Sequence, residues 1–414
     1  AHHADRCIMV VIAHHQPARE YSDAAFEDAH IYVQREAVYT LAAKQCLCES
    51  DLCRVGGAKE LFHIHEIDIR FGTCRAFGKQ YMSLDMPNAK PHEALATLLA
   101  PGMEAVNTLI RARMASKHAP RIPEVTAHLV EAGGKRLRPL LTLATAELCG
   151  YSGENSVKLA ATVELIHTAT LLHDDVVDES HQRRGRPTAN LLWDNKSSVL
   201  VGDYLFSRSF QLMVETGNLR VLDILANASA TIAEGEVLQL TAAQNLATTE
   251  DIYLQVVRGK TAALFSAATE VGGVIAGAPE AQVRALFDYG DALGIAFQIV
   301  DDLLDYEGDA KTIGKNIGDD FREGKLTLPV IKAVALATPE ERAFWVRVIE
   351  KRAQSEGDLD KALALFAKHD TLNATRREAL MWSETAKTAI ATLPPHPIRD
   401  MLSGLADYVV ARLV

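Results

Sequence analysis

The stretch ENSVKLAATVELIHTATLLHDDVVD, residues 154–178, decides the fold of this protein. Apolar residues fall on nearly every side of the helix that this stretch predicts, and that pattern is typical of a helix buried all round. At 1.5 Å per residue such a helix is roughly 37 Å long. A second apolar run, ALGIAFQIV at 292–300, predicts another buried helix. We therefore expect an all-α protein with two central helices.

Further helical patterns fill the chain from about residue 92 to the C-terminus. Short breakers separate them at 132–134, 150–153, 215–218 and 276–279, and their glycine and proline residues are common helix terminators. No alternating strand pattern of useful length competes with these helices. The fold class is therefore expected to be all-α throughout this region.

The bulk composition excludes several classes of protein. The chain has 414 residues, 48% hydrophobic and 23% charged, so it can bury a large core. Its formal net charge of -11 argues against a nucleic-acid-binding protein, although it leaves room for a local basic pocket that binds an anion. No run of about 18 apolar residues predicts a transmembrane helix, and no signal sequence is recognisable. The expected location is the cytoplasm.

Residues 1–81 differ in composition from residues 82–414. They hold seven of the 15 histidines and five of the six cysteines. Residues 82–414 contain one cysteine, Cys149, so a disulfide framework is excluded there. We expect residues 1–81 to be an extension outside the catalytic domain, with a natural start at Met82. Their acidic content disfavours a transit peptide. A metal site is a minor alternative, because its spacing is not the C-x-x-C usual for zinc. Its ligands would be Cys46, Cys48, Cys53, His63 and His65.

Each predicted central helix ends in an Asp-Asp-x-x-Asp motif, DDVVD at 174–178 and DDLLD at 301–305. The first and last aspartates of each motif are i, i+4 neighbours on one helix face, where like charges repel. The helix macrodipole also disfavours anions at a C-terminal end. A cation must offset both effects. Magnesium fits, because it takes oxygen ligands from one or two carboxylates and completes its shell with water and substrate phosphate.

Other interpretations of these carboxylates have less support. One such motif alone would favour a solvated acidic helix end, but two copies at the ends of two apolar helices favour a metal site. An EF-hand calcium loop needs alternating oxygen ligands around a central glycine, which the sequence lacks. A di-iron bundle needs paired Glu-x-x-His motifs, and Glu164 with His167 forms the single example in the sequence.

Positive charge is concentrated in two clusters, GGKRLRP at 133–139 and HQRRGRPT at 181–188. The planar fork of arginine suits bidentate phosphate recognition, and lysine adds a compact charge. Cations beside magnesium-binding carboxylates favour a diphosphate ligand. The directions of Arg136 and Arg186 cannot be assigned from the sequence. The sequence has neither a Walker A motif nor a Gly-x-Gly-x-x-Gly helix start, so a nucleotide is not expected.

Six motifs, in order from about residue 92 to the C-terminus, resemble the trans-prenyltransferase family of polyprenyl diphosphate synthases. They are GGKRLRP at 133–139, DDVVD with RRG at 183–185, GDYL at 202–205, GKTA at 259–262, Gln298 with DDLLD, and GKN at 314–316 continuing through Asp319 and Asp320 to Gly324 and Lys325. The resemblance implies the isoprenoid synthase fold, in which antiparallel helices surround a central cavity. It implies a catalytic domain within residues 82–414.

The resemblance also implies roles for individual residues. Magnesium would be held by Asp174, Asp178 and Asp301, and the catalytic set would add Asp175, Asp302 and Lys260. Isopentenyl diphosphate would be held by Lys135, Arg138, His167 and Arg184. The second substrate, an allylic diphosphate such as farnesyl diphosphate, would be held by Arg183, Lys260, Thr261 and Gln298. Lys315 and Lys325 would add positive charge at the mouth of the site.

Product length is the finest expectation from the resemblance. The growing tail is expected to run from the first aspartate motif back along its helix, so Ala169 and Thr170, about one turn upstream, would form the tunnel floor. A bulky aromatic side chain at this level stops growth early in the family, whereas Ala169 leaves the tunnel open. The segment GEVLQL at 235–240 also resembles long-chain members that make quinone side chains. We expect an octaprenyl to decaprenyl product, a homodimer, and peripheral membrane contact for product release.

Several alternatives stay open. One is a shorter-chain, geranylgeranyl-type synthase. A regulatory subunit of a heteromeric synthase would be expected to have lost one aspartate motif, and a class I terpene cyclase would lack the cluster of Lys135, Arg138 and Arg184. A non-enzymatic helical binding protein is the broadest alternative.

Overall fold

The computed structural model describes residues 91–131, 133–183, 185–307 and 317–411, together with the backbone of residues 52–53 and 62–63. The chain divides into two compact units, Ala1–Asp85 and Met86–Val414. In the first unit, strand β1 (Leu52–Cys53) pairs antiparallel with strand β2 (Phe62–His63). The side chains of the alternative cysteine and histidine metal site lie outside the described residues.

The described part of the second unit is almost entirely helical. Its α-helices are α1 (Pro91–Leu98), α2 (Ala100–Met114), α3 (Arg121–Glu131), α4 (Leu137–Leu148), α5 (Asn155–Val177), α6 (Ala189–Leu192), α7 (Asn195–Glu215), α8 (Leu219–Ala242), α9 (Glu250–Val257), α10 (Ala263–Ile275), α11 (Glu280–Glu307), α12 (Asp319–Arg322), α13 (Leu328–Ala335), α14 (Pro339–Trp345), α15 (Asp358–Lys368), α16 (Thr371–Ala391) and α17 (Pro397–Ala411). Two π-helical turns, π1 (Arg258–Ala262) and π2 (Val346–Glu350), follow α9 and α14.

Helices α5 and α11 are the two central helices, as predicted. α5 is 23 residues long, and its buried residues lie all round its axis. They do so because the helix consists mostly of apolar and small side chains and carries few charges. α11 has 28 residues and extends two residues beyond the second aspartate motif. The prediction of an all-α fold is therefore confirmed.

Helix α10 is in contact with both central helices. It packs against both α5 and α11, and it also contacts α4 and α8. The close approach of α11 is possible because Gly294 has no side chain: a Cβ there would lie 2.6 Å from the Cα of Ala262. This arrangement fixes the π1 turn, which precedes α10, beside the end of α11 that carries the second motif.

A short β-hairpin follows α5 and was not predicted from the sequence. Strand β3 (Gln182–Arg183) pairs antiparallel with β4 (Arg186–Pro187). Gly185 in the turn has φ +75°, a left-handed conformation that favours glycine. Strands of two residues are too short to leave a period in the sequence. The hairpin matters because it carries Arg183 back towards the first aspartate motif.

No helix among the described residues is both long and apolar enough to span a membrane.

Candidate active site

The first aspartate motif lies at the C-terminal end of α5. Asp175 is completely buried, and its Oδ1 accepts hydrogen bonds from Nε and Nη2 of Arg183 at 2.8 and 2.7 Å. Asp178 caps the helix and is exposed. The hairpin thus supplies the cation that compensates the buried middle aspartate. Arg183 therefore faces the motif, while Arg184 lies outside the described residues.

Asp174 sits in a different electrostatic environment. Burial raises the pKa of Asp174 to about 7, the positive charges of Lys260 and Arg183 oppose that rise, and the carboxylates of Glu236 and Asp178 add to it. A carboxyl group with so high a pKa is one whose negative charge is incompletely compensated by the protein. This is the property expected of a ligand that waits for a metal cation.

The second motif contains a buried hydrogen-bond chain. Oδ2 of Asp302 accepts a 2.7 Å bond from the Tyr253 hydroxyl, and Oδ1 accepts a 2.9 Å bond from Nε2 of Gln298. Oε1 of Gln298 in turn accepts a 2.9 Å bond from the Thr261 hydroxyl. Burial, together with the charge of Asp320, raises the pKa of Asp302 to about 7, and the two hydrogen bonds oppose that rise. Asp302 therefore orients Gln298 and Thr261.

The six aspartates divide into two sets of three. Asp175 is held by Arg183, Asp302 by Tyr253 and Gln298, and Asp305 accepts a 3.1 Å hydrogen bond from the backbone N–H of Asp320. Within the described part of the chain, no hydrogen bond or ion pair engages the other three carboxylates. Those three are the residues that the resemblance assigned to magnesium, namely Asp174, Asp178 and Asp301.

The free carboxylates fit Mg²⁺ in their chemistry, because they are hard oxygen donors with uncompensated charge. In the ranges that the structure describes, no three His, Cys, Asp or Glu side chains form a ready-made metal cage. In general, Mg²⁺ is bound by one or two protein carboxylates together with water and the oxygens of a substrate phosphate.

Lys325 links the two motifs electrostatically. Its Nζ lies 3.4 Å from Oδ1 of Asp320 and 2.6 Å from Oε2 of Glu323. Burial alone would lower the pKa of Lys325, but the carboxylates of Asp320, Glu323 and Asp178 together raise it above its usual value. Because Asp178 belongs to the first motif and Asp320 follows the second, Lys325 lies between them at one site. Lys315, the other lysine predicted here, is outside the described residues.

Lys260 lies on the π1 turn and faces helix α8. Its Nζ is 3.1 Å from both carboxylate oxygens of Glu236. The backbones at the preceding residues almost touch, since a Cβ on Gly235 would lie 2.8 Å from the Cα of Gly259. A π turn inserts one residue into a helix and redirects its side chains, often at functional sites. Here it presents both Lys260 and Thr261 to the motifs.

The basic cluster at 133–139 separates into a site-facing part and a structural part. Nη1 of Arg138 lies 3.3 Å from Nε2 of His167, and its guanidinium stacks 4.4 Å from the Phe265 ring centroid. Burial lowers the pKa of Arg138 to about 10, and the charge of Glu164 opposes this. Arg136 instead has φ 48° and pairs with Glu164 at 3.0 Å. Its direction, which the sequence left open, is therefore into a structural ion pair.

The remaining residues predicted to bind substrate differ in accessibility. Lys135 is exposed, with Nζ 5.3 Å from the ring centroid of Tyr408. Ala169 is completely buried in the main core, whereas Thr170, one helical turn before Asp174, is partly accessible and donates a 2.9 Å hydrogen bond to the carbonyl of His167. Thr170 is thus the more exposed of the two residues at the expected tunnel floor.

Three site residues escaped the sequence-based prediction of roles: Glu236, Tyr253 and Asp320. Glu236 belongs to GEVLQL, which was used only to indicate the product class. Tyr253 stands seven residues before Lys260 and gives no local signal, because its partner Asp302 is on another helix. Asp320 was part of a motif but had no assigned role.

Known proteins match this chain over most of its length. The sequence model of the polyprenyl synthetase family matches residues 119–366. The crystal structure of a decaprenyl diphosphate synthase from Rhodobacter capsulatus is 76% identical, covers 78% of this chain and 99% of its own, and has a TM-score of 0.76. A polyprenyl synthase from Caulobacter crescentus, solved with calcium and isoprenyl diphosphate, is 50% identical and covers 78% of this chain and 98% of its own, with a TM-score of 0.74.

A curated relative agrees with these structures. The octaprenyl diphosphate synthase of Escherichia coli is 42% identical over 320 residues, which are 77% of this chain and 98% of the relative. The resemblance identified from the motifs is therefore confirmed, and so is the isoprenoid synthase fold. This chain belongs to the polyprenyl synthetase family.

Proposed function

We propose that this protein is a Mg²⁺-dependent, long-chain trans-prenyltransferase that condenses isopentenyl diphosphate repeatedly with an allylic diphosphate. The observation that carries the proposal is the division of the aspartate motifs into three engaged and three free carboxylates, with cationic side chains on either side. A diphosphate with its counter-cations is the ligand whose charge such a site complements.

In this proposal Asp174, Asp178 and Asp301 hold Mg²⁺, which supplies charge neutralisation for the diphosphate leaving group. The structural relative from Caulobacter crescentus was solved with a divalent cation and isoprenyl diphosphate. That combination supports the same class of ligand here.

The protein's own cations orient and stabilise the two substrates. Lys260 and Arg183 lie beside Asp174 and would stabilise the allylic diphosphate as its C–O bond breaks, because preorganised charge acts where negative charge develops. Thr261 and Gln298, already locked to Asp302, would hold its oxygens. Arg138, His167, Lys135 and Arg184 would hold isopentenyl diphosphate. The double bond of isopentenyl diphosphate would attack the allylic carbon as pyrophosphate leaves, and the released pyrophosphate would accept the proton that is then lost, so no protein nucleophile is required.

The proposed product is an octaprenyl to decaprenyl diphosphate for a quinone side chain. Relatives that make octaprenyl and decaprenyl diphosphate bracket this range. Ala169 and Thr170 are both small, so nothing bulky on α5 blocks a long tail at one turn from Asp174. A geranylgeranyl-type product is the alternative that product analysis would reveal.

We propose a homodimer as the functional assembly, located in the cytoplasm and touching a membrane peripherally when product leaves. Large apolar side chains are exposed on α7 and α8, which a second copy would cover. They include Leu200, Val214, Val237 and Leu240, exposed by 66%, 65%, 63% and 59%. A regulatory subunit is the less favoured reading, because both aspartate motifs are complete.

We also propose that residues 1–81 play no part in catalysis. A protein consisting of residues 82–414 should turn over substrate as fast as the full-length protein. Loss of activity in a truncated protein that retains its helical circular dichroism would contradict this.

Turnover is tested with labelled isopentenyl diphosphate, farnesyl diphosphate and Mg²⁺, followed by chromatography of the dephosphorylated product. We expect products of about eight to ten isoprene units. Asp301→Asn should reduce turnover by about a hundredfold or more, because a metal ligand loses its charge. Asp223→Asn, at an exposed position on α8, is the matched control and should retain activity. Absence of any condensation by the wild-type protein would refute the proposed function.

A further inference from the structure

The acidic side chain of Glu236 stands among groups that the proposed function reserves for substrate and metal. It lies on α8, outside both aspartate motifs, with its side chain 20% exposed. Nζ of Lys260 donates to Oε2, while Oε1, at the same 3.1 Å from Nζ, receives no hydrogen bond from any described residue. Charge therefore holds the pair together, and Oε1 of Glu236 could still accept a hydrogen bond.

The backbone fixes this pair in place. A Cβ on Gly259 would lie 2.7 Å from the Cα of Gly235 and 3.0 Å from the carbonyl oxygen of Thr231. Two glycines in such contact allow α8 and the π1 turn to approach more closely than any side chain would permit. Since Glu236 and Lys260 each follow one of these glycines, the contact sets the two charged side chains opposite each other.

The same pair lies next to Asp174. The charges of Lys260 and Glu236 both act on that carboxyl group, in opposite directions. Of the charges that act on Asp174, that of Lys260 is the strongest, so a Lys260 ammonium released from Glu236 would be drawn towards Asp174. An ammonium paired with Asp174 would occupy a carboxylate needed for Mg²⁺, and the allylic diphosphate would lose a free cation.

We infer that Glu236 is a positioning residue that holds the Lys260 ammonium beside Asp174 rather than on it. Asp174 thereby stays open for the metal, and Lys260 stays directed at the allylic diphosphate. This inference rests on the proposed function, in which Asp174 binds Mg²⁺ and Lys260 binds the allylic substrate. A charge at this position acts through Lys260 and touches no substrate.

The test compares Glu236→Gln with Glu236→Asp, and uses Glu234→Gln, an exposed glutamate on the same helix, as the matched control. Glu236→Gln should raise both the KM for the allylic diphosphate and the Mg²⁺ concentration for half-maximal activity about tenfold, as expected when a charge-assisted hydrogen bond is lost. The KM for isopentenyl diphosphate should change less than about twofold. Glu236→Asp should recover part of the loss, and Glu234→Gln should behave as the wild type.

A double-mutant cycle separates positioning from direct metal ligation. In a Lys260→Met background, Glu236→Gln should no longer shift the Mg²⁺ midpoint, because there is no ammonium left to misplace. A shift of the same size in that background would overturn the inference and mark Glu236 as a ligand. An unchanged allylic KM and Mg²⁺ midpoint in folded Glu236→Gln would overturn it as well.

A binding measurement keeps this test independent of turnover. Titration calorimetry with inorganic pyrophosphate and Mg²⁺ should show weaker binding to Glu236→Gln than to Glu234→Gln. If Glu236→Gln binds more weakly than Glu234→Gln but the wild-type protein transfers no prenyl group, the proposed function fails while the positioning role stands. Equal binding by the two variants would overturn the positioning role, whatever the turnover.

Discussion

The hydroxyl of Tyr253 donates a 2.7 Å hydrogen bond to Oδ2 of Asp302, and both side chains are buried. Through Asp302 this contact extends to Gln298 and Thr261, which are the residues proposed to hold the allylic diphosphate. Tyr253 thus helps to set the orientation of two groups that are proposed to contact the substrate.

We expect Tyr253→Phe to raise the KM for the allylic diphosphate several-fold while leaving the KM for isopentenyl diphosphate unchanged. Removal of the Tyr253 hydroxyl leaves Oδ2 of Asp302 buried without this hydrogen bond, which costs about 1–3 kcal/mol of stability. Tyr289→Phe is the matched control, because Tyr289 is also buried and donates to the Leu402 carbonyl away from the motifs. The control should lose stability in urea unfolding and keep both KM values. Similar kinetics for the two variants would contradict the positioning role of Tyr253.

The dependence of activity on Mg²⁺ should itself depend on pH. Burial raises the pKa of Asp174 to about 7, so a proton occupies this carboxyl group below neutrality and competes with the metal. The Mg²⁺ concentration for half-maximal activity should therefore fall as the pH rises from about 6 to about 8, and level off above that. Titrations at several pH values and constant ionic strength measure this. A midpoint independent of pH would contradict the raised pKa.

Product length should respond to a bulky residue one turn before Asp174. Thr170→Phe places an aromatic ring at the partly accessible position and should shorten the main product by several isoprene units. Thr170→Val, nearly the same size as threonine, is the control and should keep the wild-type product. Ala169→Phe should act similarly where the protein folds, although a buried alanine tolerates extra volume poorly. Unchanged product length in a folded, active Thr170→Phe would contradict the tunnel path.

Acid stability should depend on Glu341, which has no proposed role in substrate binding. Hydrogen bonds from Lys368, the Thr338 backbone N–H and His369 lower the pKa of Glu341 to about 2 from 4.5. Because the pKa is lower in the folded state, the stabilisation is complete above 4.5 and is lost as the pH falls towards 2.

Urea unfolding as a function of pH tests this expectation. Glu341→Gln preserves the capping box of α14, which accepts glutamine, but removes the ionic partners. The variant should be less stable than the wild type at neutral pH, and the difference should vanish on acidification. Glu356→Gln, at an exposed position, should follow the wild type throughout. A difference that persisted at low pH would show that charge is not the cause.

Much of this molecule was accessible from its sequence because the signals are local. The apolar surface of α5 appears in consecutive residues, and so does its aspartate motif. The same is true of the basic clusters and of the GKTA motif that contains Lys260. The assignment of Asp174, Asp178 and Asp301 to the metal came from resemblance and stays a prediction. The two-residue hairpin was missed because no period can be read from two residues.

The sequence by itself determined the fold class, the family and the residue types that carry the chemistry, since helical period and ordered motifs are properties of neighbouring residues. Only the tertiary structure decided which charges compensate each other. It paired Arg136 with Glu164, Tyr253 with Asp302 and Glu236 with Lys260. The two residues of each pair lie on different structural elements. The physical reason is that electrostatic and hydrogen-bond partners are chosen by distance in space, and helix packing through contacts such as Gly235 with Gly259 sets that distance.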